Sequence, residues 1–275
     1  MNVIKEEITK AIKDLGIISS DTVIVHSSLK SLGYVEGGPD AVIDGILDVL
    51  LPDGTLVFPT LCQKDWANVY KNWHMDAPSD VGLLTNVFRK RKEARRSNQA
   101  THSVAAIGKN AEYITETHGQ SGLRDGIYGN TPFSEDSPWE KMLKLNTKMV
   151  FLGVDMDSCT MRHYAEYYFI NESLKKISNQ SKYDEMKNAL CTFGDETAIW
   201  PAINNINVYK ELAKKGNIKE TKCGNAVVLC VESKTFFDFC MNVLDEAKSE
   251  FLLDWGNKFD EAVEWLKEIK ILKEN

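Results

Sequence analysis

The sequence lacks the patterns that mark several broad classes of protein. None of its six cysteines forms a C-x-x-C pair, so the sequence predicts reduced, mostly buried thiols and no metal site. No apolar run approaches the length of a membrane span, and the N-terminal stretch MNVIKEEITKAIKDLG has acidic residues and helical periodicity, unlike a signal peptide. We therefore expect a cytoplasmic protein without membrane contacts.

The chain has fewer basic residues than acidic ones. The chain has 33 Lys and Arg against 40 Asp and Glu, and its net charge of −7 argues against nucleic-acid binding. The 275 residues are 43% hydrophobic, which is typical of a soluble globular protein, and no repeat or linker interrupts them. The sequence predicts a single domain over residues 1–275, acting on a small molecule, either as a monomer or as a homodimer.

Predicted strands and helices alternate along the chain. Short apolar runs predict strands at 22–26, 55–59, 103–107, 148–154 and 225–232. Helical patterns lie near 4–15, 39–50, 81–92, 110–118 and 258–273. Two more helices are predicted to start at the capping box SPWE, 137–140, and near Ser158, and another contains the apolar residues between 236 and 244. This alternation predicts an α/β protein with a central mixed, mostly parallel sheet flanked by helices. Residues 61–80 have no regular pattern and are predicted to form a long loop.

Polar residues follow three of the predicted strands. The run HSS at 26–28 ends the first strand, Thr60 ends the second, and DSCT at 157–160 follows the strand KMVFLGV. Ligands of open α/β sheets gather beyond the carboxyl ends of strands, so these residues are candidates for a binding site.

The segment DSCTMRHYAE contains a candidate general base. If Asp157 caps a helix, His163 lies in its second turn and Glu166 lies three residues further on the same face. A carboxylate beside a histidine fixes the tautomer of the imidazole and raises its basicity. The same spacing also describes an ordinary surface pair on a helix, and the spacing alone leaves both interpretations open.

A basic cluster breaks the acidic character of the chain. Six of the eight residues in RKRKEARR, 89–96, are basic, and small hydroxylic residues follow. Arginines beside hydroxyl groups favour phosphate binding. A solvated helix end, where cations complement the helix dipole, accounts for the cluster equally well.

Five stretches together carry a family resemblance: HSSLKSLGYVEGG, LLPDGTLVFPT, RRSNQATHSVAAIG, the Thr-Pro-Phe and Ser-Pro-Trp pair, and FLGVDMDSCTMRHYAE. In this order and spacing, the sequence resembles the aminoglycoside 3-N-acetyltransferase family over roughly residues 5–170, and more weakly beyond. The resemblance implies the antibiotic N-acetyltransferase fold, which is unrelated to the GCN5-type acetyltransferases. It also implies acetyl-CoA as co-substrate and an amine on a sugar-like molecule as acceptor.

The resemblance also implies residue roles. His163 would be the general base of a direct transfer and Glu166 its carboxylate partner, whereas an acyl-enzyme on Cys159 is the minor alternative. Substrate contacts are expected from Asp157 and Thr60. Coenzyme contacts are expected from three segments: Ser27, Ser28 and Leu29; Arg96, Ser97, His102, Ser103 and Val104; Thr131, Pro132 and Phe133.

One segment departs from the family pattern. Drug-modifying members carry an acidic run after a tryptophan, and the comparable stretch here is WPAINNIN, residues 200–207. Asparagine keeps hydrogen-bonding capacity but carries no charge, so a polycationic drug would be held less strongly unless Asp195 and Glu196 substitute. Two alternatives therefore stay open: acetylation of a biosynthetic amino sugar, possibly nucleotide-linked, and a catalytically silent CoA-binding protein.

Overall fold

The computed structural model describes residues 2–62, 64, 71–118, 132–191, 200–254 and 259–274. Within these residues seven strands form one sheet: β1 Thr22–Ser27, β2 Thr55–Pro59, β3 Arg95–Arg96, β4 Val104–Gly108, β5 Lys148–Leu152, β6 Lys219–Cys223 and β7 Ala226–Glu232. The described helices are α1 Lys5–Asp14, α2 Leu29–Leu32, α3 Gly38–Leu50, α4 Leu83–Phe88, α5 Ala111–Thr115, α6 Pro138–Lys144, α7 Met161–Leu174, α8 Gln180–Cys191, α9 Asn205–Lys214, α10 Ser233–Asp245 and α11 Phe259–Glu274.

The sheet has a parallel centre and antiparallel margins. Its strand order is β3-β4-β2-β1-β5-β7-β6, and β1 runs parallel to both β2 and β5. The other four pairings are antiparallel. The α/β class with a mixed sheet is confirmed, but "mostly parallel" was wrong. Alternation of helix and strand along the sequence does not specify from which end of the sheet the chain enters each strand.

Both faces of the sheet are buried, and side chains alternate between them. Val23 and Val25 of β1 pack with α1, α3 and α4 on one face. Ile24 of β1 and Phe151 of β5 face a second core that includes α6, α7 and α10. This double burial explains why the central strands are continuous apolar runs in the sequence.

Strand prediction succeeded where strands are buried and failed where they are exposed. Each of the five predicted strands has a counterpart in the structure, and β2 has the predicted bounds. The edge strands β3 and β6 were missed because their sequences, RR and KETKC, have no apolar alternation. The helix predicted over 81–92 is shorter, since α4 ends at Phe88.

The helix start at Ser137 is confirmed, and the cap at Asp157 is a correction. Ser137 Oγ accepts a hydrogen bond from the backbone N–H of Glu140 at the start of α6. Asp157 instead lies inside a 3₁₀ turn, Met156–Ser158, and donates its own N–H to Asp155 Oδ1 at 3.1 Å. Asp155 therefore caps the 3₁₀ turn, and α7 begins after Thr160, whose side chain makes no capping hydrogen bond.

No described helix combines the length and the apolar character that a bilayer span requires. The five cysteines whose side chains the structure describes are free and buried, as expected: Cys62, Cys159, Cys223, Cys230 and Cys240. The expectation of a single domain over 1–275 stays a prediction.

Gly108 ends β4 beside Thr55, the first residue of the neighbouring strand β2. Its φ is +121°, and a Cβ atom would lie 2.2 Å from the carbonyl oxygen of Gly54. We expect Gly108→Ala to lower the free energy of unfolding by about 3 kcal/mol, since backbone strain and a clash with backbone add together. Urea denaturation measures this loss.

Gly216 provides the control, because its φ is +73° but nothing lies within 4 Å of an added Cβ. Gly216→Ala should cost only about 1 kcal/mol, the price of the left-handed conformation. Equal losses in the two variants would show that the conformation alone sets the cost at Gly108.

Candidate active site

An open cleft of about 390 Å³ lies beyond the carboxyl ends of β1, β2 and β5. β2 lies on one side of β1, and β5, which follows β4 in the chain, lies on the other side, so the strand order reverses at β1, the switch point of the sheet. The cleft is lined by His26 and Ser27 from β1, by Pro59 and Leu61 at the end of β2, and by residues between Val154 and His163 after β5.

His163 and Glu166 form the predicted pair at the start of α7. His163 Nδ1 lies 3.3 Å from Glu166 Oε2, and the His163 side chain is 29% exposed while Glu166 is 1% exposed. Trp200 Nε1 donates to Oε2 at 2.9 Å, and the backbone N–H of Ile203 donates to Oε1 at 2.7 Å. Three donors therefore converge on one buried carboxylate.

The charge on Glu166 sets the tautomer of His163. Burial alone would raise the pKa of Glu166, but the hydrogen bond and charge of His163, the charge of Arg162 and the Trp200 N–H lower it overall. The carboxylate is thus ionised at neutral pH and can only accept, so His163 carries its proton on Nδ1. Nε2 is left with a free lone pair, the arrangement that a general base requires.

Two more imidazoles line the cleft in neutral form. His102, whose ring centroid is 6.1 Å from that of His163, has its pKa lowered by burial and then by His163 and His118. Burial lowers the pKa of His26 to about 4, and its Nε2 has no partner among the described residues. His163 is therefore the cleft imidazole with a carboxylate to stabilise its protonated form.

Cys159 lines the cleft but is poorly suited to nucleophilic attack. It is 1% exposed, and burial raises the pKa of its thiol to about 12. A nucleophilic cysteine reacts as the thiolate, which such a pKa disfavours.

A groove of about 500 Å³ adjoins the cleft at Ser27, which lines both. Its walls include Ser28 and Leu29 on one side and Gly82 and Leu83 on the other. All three predicted residues of the HSSL segment therefore border one continuous depression.

A family model described as aminoglycoside 3-N-acetyltransferase matches residues 24–245. The chain belongs to this family. Among curated relatives, it is 33% identical over 184 residues to the SPbeta prophage-derived aminoglycoside N(3')-acetyltransferase-like protein YokD of Bacillus subtilis, a match covering 59% of this chain and 64% of that protein. It is 31% identical over 179 residues to aminoglycoside N(3)-acetyltransferase III of a Salmonella species, covering 59% of each chain. The match thus spans about three fifths of the length of these relatives.

Solved structures share the fold over a longer stretch. The apoenzyme of aminoglycoside acetyltransferase AAC(3)-IVa superposes with a TM-score of 0.72 and 21% identity, covering 97% of this chain and 98% of that one. AAC-IIIb, solved as a binary complex with CoASH, has a TM-score of 0.70 and 17% identity, covering 91% of this chain and 98% of that one. The predicted antibiotic N-acetyltransferase fold is thereby confirmed.

Arg96 is bound by groups of the protein itself. Its guanidinium donates to the backbone carbonyls of Met75, Ala77 and Thr60 at 2.6 to 2.8 Å, and it lies 4.6 Å from the ring of Trp73. Nε donates to the hydroxyls of Thr60 and Ser103, and the remaining N–H faces Cys62 Sγ. A guanidinium has five N–H donors, so none is left for a phosphate. Arg96 thus anchors the 73–80 segment to the sheet. These bonds do not support the expected coenzyme contact, which stays a prediction.

Four other predicted site residues are enclosed by the protein. Ser97, Ser103, Val104 and Thr60 are each 0% exposed. Thr60 Oγ1 lies 2.8 Å from Ser103 Oγ, and Ser97 Oγ lies 2.8 Å from His118 Nδ1. These side chains therefore support the cleft wall from behind, and their burial does not support the direct ligand contacts that we expected.

The remaining predicted residues have mixed outcomes. Phe133 is within 5.6 Å of His163, ring centroid to ring centroid, and Asp157 lines the cleft. Pro132 contributes its carbonyl to His118 Nε2 at 2.8 Å. Thr131 lies outside the described residues, as do Asp195 and Glu196.

The WPAINNIN segment binds Glu166 of the His163–Glu166 pair, a contact that was not predicted from the sequence. Trp200 and Ile203 bind Glu166, and Asn204 caps α9 with its side chain. The amides of Asn205 and Asn207 donate to the carbonyls of Cys159 and Glu250. These asparagines thus have structural roles. In the sequence, Trp200 is the residue that could have indicated a contact with Glu166.

No group of three or more His, Cys, Asp and Glu side chains in the described part of the chain is arranged to hold a metal ion.

Glu166→Ala leaves three donors without their acceptor and should lower the free energy of unfolding by about 3 kcal/mol at neutral pH. Glu166→Gln keeps the shape but cannot titrate. Because the pKa of Glu166 is lowered in the folded state, its stabilising effect is present above its unfolded pKa of about 4.3 and is lost as the pH falls through the folded value.

The stability gap between wild type and Glu166→Gln should therefore narrow as the pH falls below about 4. Urea denaturation across the acidic range measures this gap. Glu112→Gln, at an exposed carboxylate on α5, is the control and should show almost no gap. A constant gap for Glu166→Gln would contradict the lowered pKa.

Arg96→Lys should lower the free energy of unfolding by about 2 kcal/mol, since one ammonium cannot replace the contacts of a planar guanidinium. Arg95→Lys is the matched control, because Arg95 is exposed and makes one long ion pair of 3.5 Å with Glu112. If Arg96→Lys instead weakened coenzyme A binding at unchanged stability, that result would support a direct contact between Arg96 and a coenzyme phosphate.

Proposed function

We propose that this chain is an acetyl-CoA-dependent N-acetyltransferase that acetylates the 3-amino group of an aminocyclitol in an aminoglycoside. The observation that carries the proposal is the His163–Glu166 pair, with its free Nε2, in a cleft at the switch point of the sheet. The family membership and the printed activities of the relatives agree with this chemistry.

The groove beside the cleft fits a long, thin co-substrate. Leu29, Leu83 and Leu84 give it apolar walls, and Lys30 supplies a cation for a phosphate group. Its junction with the cleft at Ser27 would place a thioester at the end of the groove within the cleft. The residues present therefore fit the coenzyme that is bound to the related AAC-IIIb.

In the proposed reaction His163 acts as the base. Its Nε2 accepts the proton of the acceptor amine as the amine nitrogen attacks the thioester carbonyl. Glu166 stabilises the resulting imidazolium through Nδ1–H, and the imidazolium returns the proton to the leaving thiolate. The nitrogen gains the acetyl group, and the carbon–sulfur bond breaks.

The hydrogen-bonding pattern reduces the number of groups that could donate to the oxyanion formed during transfer. The backbone N–H of Ser28 is committed to the carbonyl of Leu152 at 2.9 Å. The hydroxyls of Ser27 and Thr160 line the cleft and have no hydrogen-bond partner among the described residues. We assign oxyanion stabilisation to these two hydroxyls.

The second candidate acceptor is a less cationic amino sugar of a biosynthetic pathway. It is favoured by the cleft itself, since Asp157 is the one carboxylate among the described lining residues. A multiply charged drug is usually held by several carboxylates, whereas a sugar with one amine needs fewer.

His163→Ala should lower kcat by about 10²- to 10⁴-fold, the usual contribution of a general base, with coenzyme A affinity nearly unchanged. Thiol release from acetyl-CoA measures turnover, and calorimetry measures affinity. Cys159→Ala is the control and should retain activity, because its thiol is protonated. Full activity of His163→Ala would remove the assignment of the base, and loss of turnover in Cys159→Ala alone would favour an acyl-enzyme.

The acceptor is identified by the same thiol-release measurement. Turnover with kanamycin-type or gentamicin-type aminoglycosides supports the first candidate. Turnover only with UDP- or dTDP-linked amino sugars supports the second. Coenzyme binding without turnover on any amine would leave the chain a silent binder and refute both.

A further inference from the structure

Both backbone groups of Ile203 face α7. The residues on either side of it pair with another segment: the Leu253 N–H donates to the carbonyl of Ala202, and the Asn204 N–H donates to the carbonyl of Phe251, each at 2.7 Å. In an antiparallel bridge, successive residues direct their backbone groups to opposite sides. The N–H and the C=O of Ile203 therefore both point away from that segment.

One turn of α7 supplies a partner for each of these two groups. The Ile203 N–H donates to Glu166 Oε1 at 2.7 Å, and Arg162 Nη1 donates to the Ile203 carbonyl at 3.0 Å. Arg162 and Glu166 are four residues apart in α7, so they lie on the same face of the helix. Together the two side chains hold one residue at its donor and at its acceptor.

Stability alone does not explain an arginine at this position. Arg162 is the second residue of α7, where the helix dipole disfavours a cation. Its Nε is buried without a partner among the described residues, and an unmatched buried donor costs free energy. The attraction to Glu166 acts in the other direction. Burial raises the pKa of Glu166, and the charge of Arg162 is one of the interactions, after those of His163, that lower it overall.

The other groups around the His163–Glu166 pair do not supply a positive charge. Besides Arg162, the described titratable side chains there are His102, Cys159, Cys240 and Asp157. Burial lowers the pKa of the His102 imidazole and raises the pKa of both thiols, so these three groups are uncharged at neutral pH. Asp157 adds a carboxylate to the cleft wall. Within this set, Arg162 is the permanent cation.

We propose that Arg162 is a positioning residue of the active site. With Glu166 it holds Ile203, and through this contact and its charge it keeps Glu166 ionised and directed at His163 Nδ1. Removing the cation would make proton uptake by the pair more favourable, so the free base would be lost at a higher pH. The kinetic consequence rests on the proposed function, whereas the arrangement of the pair does not.

The kinetic test compares Arg162→Met with Arg162→Lys. Arg162→Met should lower kcat by about tenfold at neutral pH, with coenzyme A affinity nearly unchanged. It should also move the acidic limb of the kcat/KM profile to higher pH by about half a unit or more. Arg162→Lys keeps the charge, so its acidic limb should stay near that of the wild type and most of kcat should return.

Lys141→Met is the matched control, because it removes another buried cation from a helix that packs against α7. Lys141 is bound to Glu116 and to the Thr117 hydroxyl, away from the pair. This variant should lose stability without moving the acidic limb. If Arg162→Met instead lost activity by the same factor at every pH, and Arg162→Lys were no better, the role of Arg162 would be structural only and the proposal would be overturned.

A second measurement does not need turnover. Nitrogen–proton correlation spectra of the imidazole groups report which ring nitrogen of His163 carries a proton, and the pH at which the ring takes up a second one. His163→Ala assigns the signals. Arg162→Met should take up the second proton at a higher pH than the wild type, and an unchanged titration would overturn the proposal. The expected titration without acetyl transfer to any amine would refute the proposed function alone.

Discussion

The buried carboxylate of Glu166 is the constraint on which the candidate active site depends. A carboxylate that is 1% exposed is tolerated only because His163, Trp200 and the Ile203 N–H all donate to it. In return, the Glu166 carboxylate fixes the orientation of each donor. The side chain thus joins the first turn of α7 to the segment before α9, and it fixes which nitrogen of His163 faces the cleft.

The sheet determines where this carboxylate can act. Because β2, β1 and β5 are parallel, their carboxyl ends open at one edge, and the cleft forms there. The antiparallel strand β4 begins at this same edge, where His102, just before it, also lines the cleft. Arg96 holds the carbonyls of Met75 and Ala77, in the segment that leads to Val81 on the cleft wall.

Features that depend on residues close together in sequence were predictable, whereas contacts between residues far apart in sequence were not. Residues within one local pattern, such as the strand 55–59 or the pair His163 and Glu166, were predicted because period and spacing report them. The contacts of Trp200, Ile203 and Arg96 were not, since each joins segments far apart in sequence. The contacts of Arg96 have a physical ambiguity at the level of sequence, because a guanidinium binds phosphate oxygens and backbone carbonyls with the same N–H donors. The edge strands β3 and β6 were missed because their exposed, charged sequences lack the alternating apolar residues by which a strand is recognised.

The hydrogen bonds that Glu166 accepts from residues far along the chain also have a consequence for folding. Its hydrogen bonds to Trp200 and Ile203 span 34 and 37 residues of chain, so they form only after the chain has been made as far as Ile203. A nascent chain that ends before Trp200 already contains β1, β2 and β5, but its Glu166 lacks two of the three donors that bind it in the folded protein. A buried carboxylate without those donors is costly. Full burial of Glu166, and with it the fixed proton on His163 Nδ1, therefore requires that the segment 200–203 packs against α7.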